Sequence, residues 1–473
     1  MLASSGPIVP QLASAVGREN VLLGEAMAPY LTERRGLFHG RAVAVVKPGS
    51  TQEVSAVVRI ARQAGVPIVP QGGNTGLVGG QTPDGGAPAV VLSLQRMDKV
   101  RAVDPDGNTI VVDGGATLAT VRRAADAVDR HFPLSLAPQE HCTIGGNLAT
   151  NAGGLAVLAY GSMRDLVLGL EVVLADGRIW NGLRTLRKDN TGYDLKHVFT
   201  GSEGTLGIIT GAALKLFARP RAVATALAGV PTPEAALALF RRARAEAGPS
   251  VTAAEIIPYF GMTLAVQKLG RDLPLEAPHA WYVLIELTSV TPLDLDEVVL
   301  RILNGARDAG EAEDFIVAGS DSARTAMWAL RETMSDAQGI AGASIKHDVS
   351  VPVADVPTFI RKATEAALVT VPGCRPCPFG HLGDGNIHFN ITQPEGADGP
   401  GFIARWAEMN AAVHAVVARF DGSIAAEHGV GRLKRDLLPG VKDAVELDLM
   451  RTLKHALDPA NLLNPGVLLG PPR

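Results

Sequence analysis

At 473 residues, with 47% apolar and 19% charged side chains, the chain is a globular polypeptide long enough for two or more hydrophobic cores. A formal net charge of −4, with Lys and Arg spread along the chain, excludes a nucleic-acid-binding composition, and no run of about 18 apolar residues offers a spanning helix. Three cysteines fit a reducing compartment without a disulfide framework. Met1–Gln11 has neither the basic start and long apolar stretch of a signal peptide nor the Arg-rich character of a mitochondrial leader, so a cytoplasmic location is expected.

Residues 12–30 read as short helix and coil. Ala42–Val46 is a short apolar run, a buried strand. Ser50 with Glu53 three residues on forms a capping box, and Val54, Val57, Val58 and Ala61 make one apolar helix face. Gly65 and Pro67 end that helix, and Val66–Pro70 is the next strand. This β-α-β unit delivers the chain into Pro70–Gly80, P-Q-G-G-N-T-G-L-V-G-G, with five glycines in eleven residues. Successive backbone N–H groups in such a loop make a concave anion site, a seat for a phosphate. Read alone, the stretch is equally an ordinary glycine-rich turn. It is neither the G-x-G-x-x-G fingerprint nor a P-loop, and it leads into more strand, which disfavours a Rossmann fold or a P-loop NTPase.

Ala89–Leu94 and Thr109–Asp113 are further strands, and Thr117 caps a helix carrying Leu118, Val121, Ala125 and Val128. A second glycine cluster, Gly145–Gly154, is trailed by Tyr160-Gly161. Leu166–Leu174 is nearly all apolar and runs into the hairpin signal Asp176-Gly177. A third cluster spans Gly201–Gly207 and is followed by Ile208-Ile209. Three clusters between Pro70 and Gly207 point to one extended ligand held along its length by backbone.

Arg219-Pro220-Arg221 marks a boundary. Beyond it, helices (Ala235–Ala247, Asp294–Asp308, Ser322–Ala337, Ala354–Leu368) alternate with strands (Trp281–Leu287, Val349–Val353), which predicts an α+β domain with a sheet covered on one side. His381 and His388 flank Gly383-Asp-Gly385, a turn that lets two imidazoles seven apart converge, and Asn390 shares a strand face with His388. Glu427-His428-Gly429 lies in a loop after the helix Phe402–Arg419. Two histidines and a carboxylate are a ligand set for Zn²⁺ or another divalent ion. Each histidine alone also reads as a satisfied surface or core residue. Arg331 and Ser335 share a helix face, and Arg331 can clamp a carboxylate, with Lys346 as a second cation. An isolated helical Arg is also simply a solvated charge. Cys374-Arg-Pro-Cys377 reads as structural, because the second ligand pair of a zinc ribbon is missing, with a half-site or a redox pair as the other readings.

The segments P-Q-G-G-N-T-G-L-V-G-G, G-G-N-L-A-T-N-A-G-G, R-K-D-N-T-G-Y-D-L-K and G-S-E-G-T-L-G-I-I-T resemble the FAD-binding domain of the vanillyl-alcohol oxidase/p-cresol methylhydroxylase family, over roughly residues 38–217. The resemblance implies FAD contacts at Pro70, Gly72, Gly73, Asn74, Thr75, Gly76, Leu77, Gly79 and Gly80, and at Pro138. It implies others at Gly145, Gly146, Asn147, Ala149, Thr150, Asn151, Gly153 and Gly154, at Tyr160 and Gly161, and at Glu203, Gly207, Ile208 and Ile209. Some relatives carry a histidine in the first loop that bonds the flavin. Asn74 and its neighbours include none, which implies non-covalent FAD.

G-H-L-G-D-G-N-I-H-F-N, A-E-H-G-V-G and K-H-D-V-S-V-P-V resemble the FAD-dependent D-2-hydroxy-acid dehydrogenases of that family, with D-2-hydroxyglutarate the implied substrate. The resemblance implies metal ligands His381, His388 and Glu427 for Zn²⁺ (or Mn²⁺ or Co²⁺), and His428 as catalytic base. It also implies substrate contacts at Arg331, Ser335, Lys346 and Asn390. Ser335 stands where relatives often have threonine and keeps the hydroxyl. D-P-A-N-L-L-N-P-G matches the family's terminal segment, placing Asn464 near the flavin. The implied fold is α+β. It comprises a two-part FAD-binding domain (1–218, core 38–217), a substrate domain with a largely antiparallel sheet (219–420), and a C-terminal segment (421–473) that carries the active-site loop and packs on the FAD domain. The implied reaction oxidises D-2-hydroxyglutarate to 2-oxoglutarate, with hydride passing from C2 to flavin N5. Electrons go on to an acceptor such as an electron-transfer flavoprotein or a quinone. D-Lactate or glycolate oxidation is the rival within the class. A zinc-dependent hydrolase and a flavin-binding protein without turnover are rivals from other classes. A homodimer is the default assembly.

Overall fold

The computed structural model describes residues 8–84, 86 and 88–470, so most of the leader reading at Met1–Gln11 lies outside the described residues. The chain divides into two compact units, one of Met1–Gly154, Tyr160–Arg219 and Glu427–Arg473, the other of Leu155–Ala159 and Pro220–Ala426.

The first unit opens on a four-stranded sheet ordered Val21–Leu22, Ala42–Val46, Ala89–Ser93, Ile68–Gln71. Ala42–Val46 and Ile68–Gln71 both run parallel to Ala89–Ser93, and the helix Thr51–Ala64 makes the crossover. That helix starts where Ser50 Oγ accepts from Glu53 N, and it stops at Gly65, whose φ of 64° is left-handed. It seals Val54, Val57 and Val58 completely from solvent, worth roughly 1.5–3 kcal/mol for each valine side chain. The strand Ile68–Gln71 then releases the chain into the glycine loop. The C-terminal segment docks on the same strand: Ile68 N donates to Leu462 O at 2.9 Å, and Asn464 N to Ile68 O at 2.8 Å.

A second sheet of the unit is antiparallel throughout, ordered Val100–Asp104, Thr109–Asp113, Ile208–Lys215, Val167–Val173, Ile179–Gly182. The Asp176-Gly177 turn closes its hairpin with Gly177 at φ 83°. Within the second glycine cluster the chain forms a short helix, Ile144–Ala149, which the glycines conceal from a propensity reading. Thr143 caps it, its Oγ1 accepting from Gly146 N.

The second unit is built on one eight-stranded antiparallel sheet. Its order is Asp314–Val317, Ala222–Val230, Trp281–Ser289, Val251–Pro258, Arg375–His381, Asn386–Thr392, Ser344–Ile345, with Val349–Ser350 also paired to Asn386–Thr392. Helices cover both faces, not one as the sequence predicts. Ala226, Ile256, Val283, Ile285 and Phe389 point into a core with the helices Pro233–Ala247, Leu295–Asp308, Val356–Thr370 and Trp406–Ala418. Their strand neighbours Leu227, Ile257, Tyr282, Leu284 and Phe379 point into another with Tyr259–Leu269 and Asp321–Ala337. Strands buried on both sides lose the alternation that would have revealed this.

Two predicted elements are shorter than expected. The strand at Val349–Val353 pairs only over Val349–Ser350, because Pro352 has no N–H to donate and a 3₁₀ turn follows at Val353–Asp355. The helix at Phe402–Arg419 is two helices, Gly399–Ala404 and Trp406–Ala418, broken at Arg405. Among the described residues no helix is long and apolar enough to cross a membrane.

Candidate functional site

Each unit carries its own constellation. In the first, a cleft of about 910 Å³, its open mouth included, is lined by Pro70, Gly72, Gly73, Asn74, Thr75, Gly76 and Gly80 of the first glycine loop. Gly145, Gly146, Asn147, Ala149 and Thr150 of the second cluster line it too, with Glu203, Gly207, Ile208 and Ile209 of the third. The loops close on each other through missing side chains. A Cβ on Gly73 would lie 1.8 Å from His141 O, and one on Gly72 2.2 Å from Thr143 Oγ1. Asn74 takes a left-handed φ of 54°, held by its Nδ2 donating to Pro29 O and Thr32 O at 3.1 and 3.0 Å.

Leu77, Gly79, Pro138, Asn151, Gly153, Gly154, Tyr160, Gly161 and Asn464 stand outside the cleft lining. Several support it. Asn464 Nδ2 donates to Gly80 O and Glu203 O, both at 2.8 Å, pinning the first loop to the third. Asn151 Oδ1 accepts from Ser162 Oγ and Arg164 N, each at 2.9 Å. Gln71, Val78, Gln81, Leu94, Thr143 and Gly204 also line the cleft. They were missed because nothing in an isolated Gln or Leu marks it as facing a ligand.

His428 lines the same cleft, and its loop is tethered on both sides. Glu427 Oε1 accepts from Gly154 N at 2.7 Å, while the two oxygens of Glu203 accept from Val430 N and Gly431 N at 2.8 Å each. Gly431 packs so closely that a Cβ would meet Val78 O at 2.2 Å. Burial pushes the Glu203 carboxyl up to about 7, against the pull of those two N–H groups and of Lys434. Among the described residues, Glu203 and His428 are the only ionisable side chains lining the cleft.

This cleft fits FAD. A dinucleotide brings a pyrophosphate, and with no Lys or Arg on the lining among the described residues its charge falls to backbone N–H groups and hydroxyls, as glycine loops provide. Two buried side-chain oxygens on the lining, Gln71 Oε1 and Asn74 Oδ1, have no hydrogen-bond partner among the described residues and are available to ligand donors.

In the second unit, polar groups gather on the sheet face covered by Asp321–Ala337. The antiparallel hairpin Arg375–His381/Asn386–Thr392 puts His388 opposite Phe379 and Asn390 opposite Cys377. The His381 and His388 rings approach edge to face with centroids 5.5 Å apart, so the turn does make the two imidazoles converge. Each has a buried carboxylate beside its Nδ1: Glu255 Oε1 at 3.0 Å from His381, and Asp348 Oδ1 at 3.8 Å from His388. Asp348 Oδ1 also accepts from Asn386 Nδ2 at 3.0 Å.

Arg331 is buried, not the solvated charge that spacing left open. Its Nε donates to Glu255 Oε2, and its Cζ lies 5.0 Å above the Phe379 ring. One turn on, Ser335 meets Lys346, whose Nζ donates to Ser335 O at 2.7 Å and Oγ at 3.0 Å. Asn390 Nδ2 donates to Gln338 Oε1 at 2.8 Å. Burial would raise the Glu255 carboxyl, but the charges and hydrogen bonds of Arg331 and His381 pull it down to about 2. Glu255 and Asp348 were not foreseen. Both sit next to apolar runs where an acidic residue carries no motif.

The histidine pair fits a divalent ion. For His381, the Glu255 carboxylate at Nδ1 favours Nε2 as the ligating nitrogen, the arrangement usual for metal histidines. The cysteines do not compete for it: Cys374 and Cys377 are free and buried, and burial pushes the Cys377 thiol up to about 12.

Comparison with known proteins gives two family matches, "FAD binding domain" over residues 42–182 and "FAD linked oxidases, C-terminal domain" over residues 219–468. A mitochondrial D-2-hydroxyglutarate dehydrogenase of Bos taurus is 39% identical over 435 residues, 91% of this chain and 77% of its own length. A putative mitochondrial D-lactate dehydrogenase of Schizosaccharomyces pombe is 34% identical over 90% of this chain and 82% of its own. Among solved structures, p-cresol methylhydroxylase with substrate bound superposes with a TM-score of 0.76 at 16% identity, covering 97% of this chain and 95% of its own. That likeness shows the fold.

Proposed function

Because this chain belongs to the FAD-dependent D-2-hydroxy-acid dehydrogenases of the vanillyl-alcohol oxidase/p-cresol methylhydroxylase family, we propose that its substrate is D-2-hydroxyglutarate, oxidised to 2-oxoglutarate. The observation that carries the dicarboxylate reading is the presence of two cations in the second unit, Arg331 on the helix face it shares with Ser335, and Lys346, whose Nζ reaches Ser335 from just past the strand Ser344–Ile345. A C5 dicarboxylate needs two positive partners, whereas D-lactate needs one. In this reading Arg331 takes one carboxylate through its Nη donors, Lys346 and Ser335 take the other, and Asn390 orients the substrate.

His381, His388 and Glu427 would hold Zn²⁺ or a similar divalent ion, and the glycine cleft would hold non-covalent FAD. The cofactors supply what side chains cannot, hydride acceptance at flavin N5 and a Lewis acid for the reacting oxygen. His428 accepts the hydroxyl proton at its imidazole as hydride leaves C2. Glu203 and Gly154 hold the loop that carries His428. We place the protein in the cytoplasm as a homodimer, with an external acceptor, an electron-transfer flavoprotein or a quinone, taking the electrons.

The experiment is the ratio of kcat/KM for D-2-hydroxyglutarate to that for D-lactate, measured with a dye acceptor before and after chelation. A ratio well above one, with activity lost on chelation while flavin stays bound, is expected. A ratio below one assigns the site to the smaller hydroxy acid, and full activity after complete metal removal sinks the metal assignment.

A further inference from the structure

We propose that Glu255 is a positioning residue that ties the metal-binding histidine His381 to the substrate-binding arginine Arg331. The inference rests on the metal and substrate roles given above. It concerns a carboxylate that neither the motifs nor the family matches single out.

Glu255 lies in the middle of Val251–Pro258, V-T-A-A-E-I-I-P, a strand buried along its whole length. Its side chain is 1% exposed. A carboxylate buried this deeply in an apolar strand is costly, and an apolar residue of similar size would serve stability as well or better. What Glu255 adds is direction. The strand register sets it directly opposite His381. One oxygen, Oε1, lies 3.0 Å from His381 Nδ1, and the other, Oε2, accepts from Arg331 Nε.

Each contact fixes one functional edge. With its proton on Nδ1 and facing Glu255, the His381 imidazole presents Nε2 as its ligating nitrogen. With Nε engaged by Glu255 and its plane set over Phe379, the Arg331 guanidinium keeps its Nη donors for a substrate carboxylate. A single rigid carboxylate thus sets the metal arm and the carboxylate arm in one frame. A glutamine cannot reproduce this, because its amide has one accepting atom for two donors.

The test uses the full-length, FAD-loaded protein and two variants, Glu255→Gln and Glu255→Asp. The readouts are the Zn²⁺ dissociation constant by competition with a chelating dye, and the dissociation constant of 2-oxoglutarate at saturating Zn²⁺. For Glu255→Gln we expect Zn²⁺ affinity to fall about 10–100-fold. We also expect 2-oxoglutarate binding to weaken about tenfold, as for a lost charge-assisted contact, with the flavin spectrum unchanged. Glu255→Asp keeps the charge but is one methylene too short to reach both partners, so it should shift both constants in the same direction by less. It carries the test if Glu255→Gln does not fold. A role confined to stability would lower Tm and leave both constants alone, and wild-type-like Zn²⁺ affinity in the folded variants overturns the proposal. Wild-type protein that takes up no Zn²⁺ overturns the metal reading itself, and this inference falls with it.

Discussion

The two units assemble their polar groups by opposite means. The cleft of the first is made of backbone: glycines of the three clusters pack until a Cβ would collide, and among the described residues no Lys or Arg lines it. The constellation of the second is made of side-chain charge: Arg331, two imidazoles and two buried carboxylates on one sheet face, with Lys346 exposed beside Ser335. Backbone N–H groups cost nothing to keep buried once paired, suit a long ligand that binds tightly, and discriminate little among phosphates. Charged side chains are expensive to bury, so each needs a partner, but they read the number and spacing of carboxylates. A resident cofactor suits the first design, and the second is the proposed seat of the substrate's carboxylates.

The contrast breaks most sharply at Gly73. Gly73→Ala places a Cβ where His141 O stands, at 1.8 Å, and that oxygen is backbone that cannot swing away. The flavin-to-protein ratio after desalting should fall to near zero, and full retention would mean that the first loop does not shape the cofactor site. Next in size is His428→Asn, which removes the proposed base from a cleft otherwise intact. Turnover should drop about 10²–10⁴-fold with flavin still bound, and either wild-type turnover or loss of flavin would contradict that role.

Arg331→Lys sharpens the other side. A lysine keeps the charge but cannot bond Glu255 and a carboxylate through one planar fork. KM for the hydroxy acid should rise roughly 10–100-fold, the loss of about 1.5–3 kcal/mol expected for a charge-assisted contact, with Zn²⁺ and flavin content unchanged. An unaltered KM would remove Arg331 from the substrate site.

The smallest effect belongs to Glu203, whose carboxyl lines the backbone-built cleft. Its folded value is raised to about 7, so the folded chain keeps that proton where the unfolded chain has lost it. The stability it contributes is full below about 4.5 and is lost as pH rises through about 7. Glu203→Gln cannot ionise. Its stability relative to wild type should therefore improve from pH 5 to pH 8, by roughly 3 kcal/mol at most, read as the change in the Tm gap. A gap independent of pH would show that Glu203 is ionised throughout.

The same contrast explains what could be read from sequence. Features written in local chemistry were legible: Ser50 and Gly65 bounding a crossover helix, Gly177 closing a hairpin, and the Gly383–Gly385 turn that brings His381 back to His388. The glycine loops announced a backbone-built cleft for the same reason. Glu255 was invisible because its meaning lies in partners that only the folded sheet supplies, Arg331 being 76 residues away. The second helical layer of the second unit was hidden too, since alanine-rich strands such as Ala222–Val230 are buried on both faces and show no alternation. The helix Ile144–Ala149 was masked by Gly145 and Gly146, which a propensity argument reads as loop.

The most direct test is an anaerobic visible spectrum of the purified protein during addition of D-2-hydroxyglutarate. A yellow flavin band that bleaches within the mixing time is the predicted result, since it requires the cleft to hold FAD and the protein to oxidise the dicarboxylate. A band that D-lactate bleaches and D-2-hydroxyglutarate does not, or a protein that shows no flavin band even after FAD is supplied, would contradict the account.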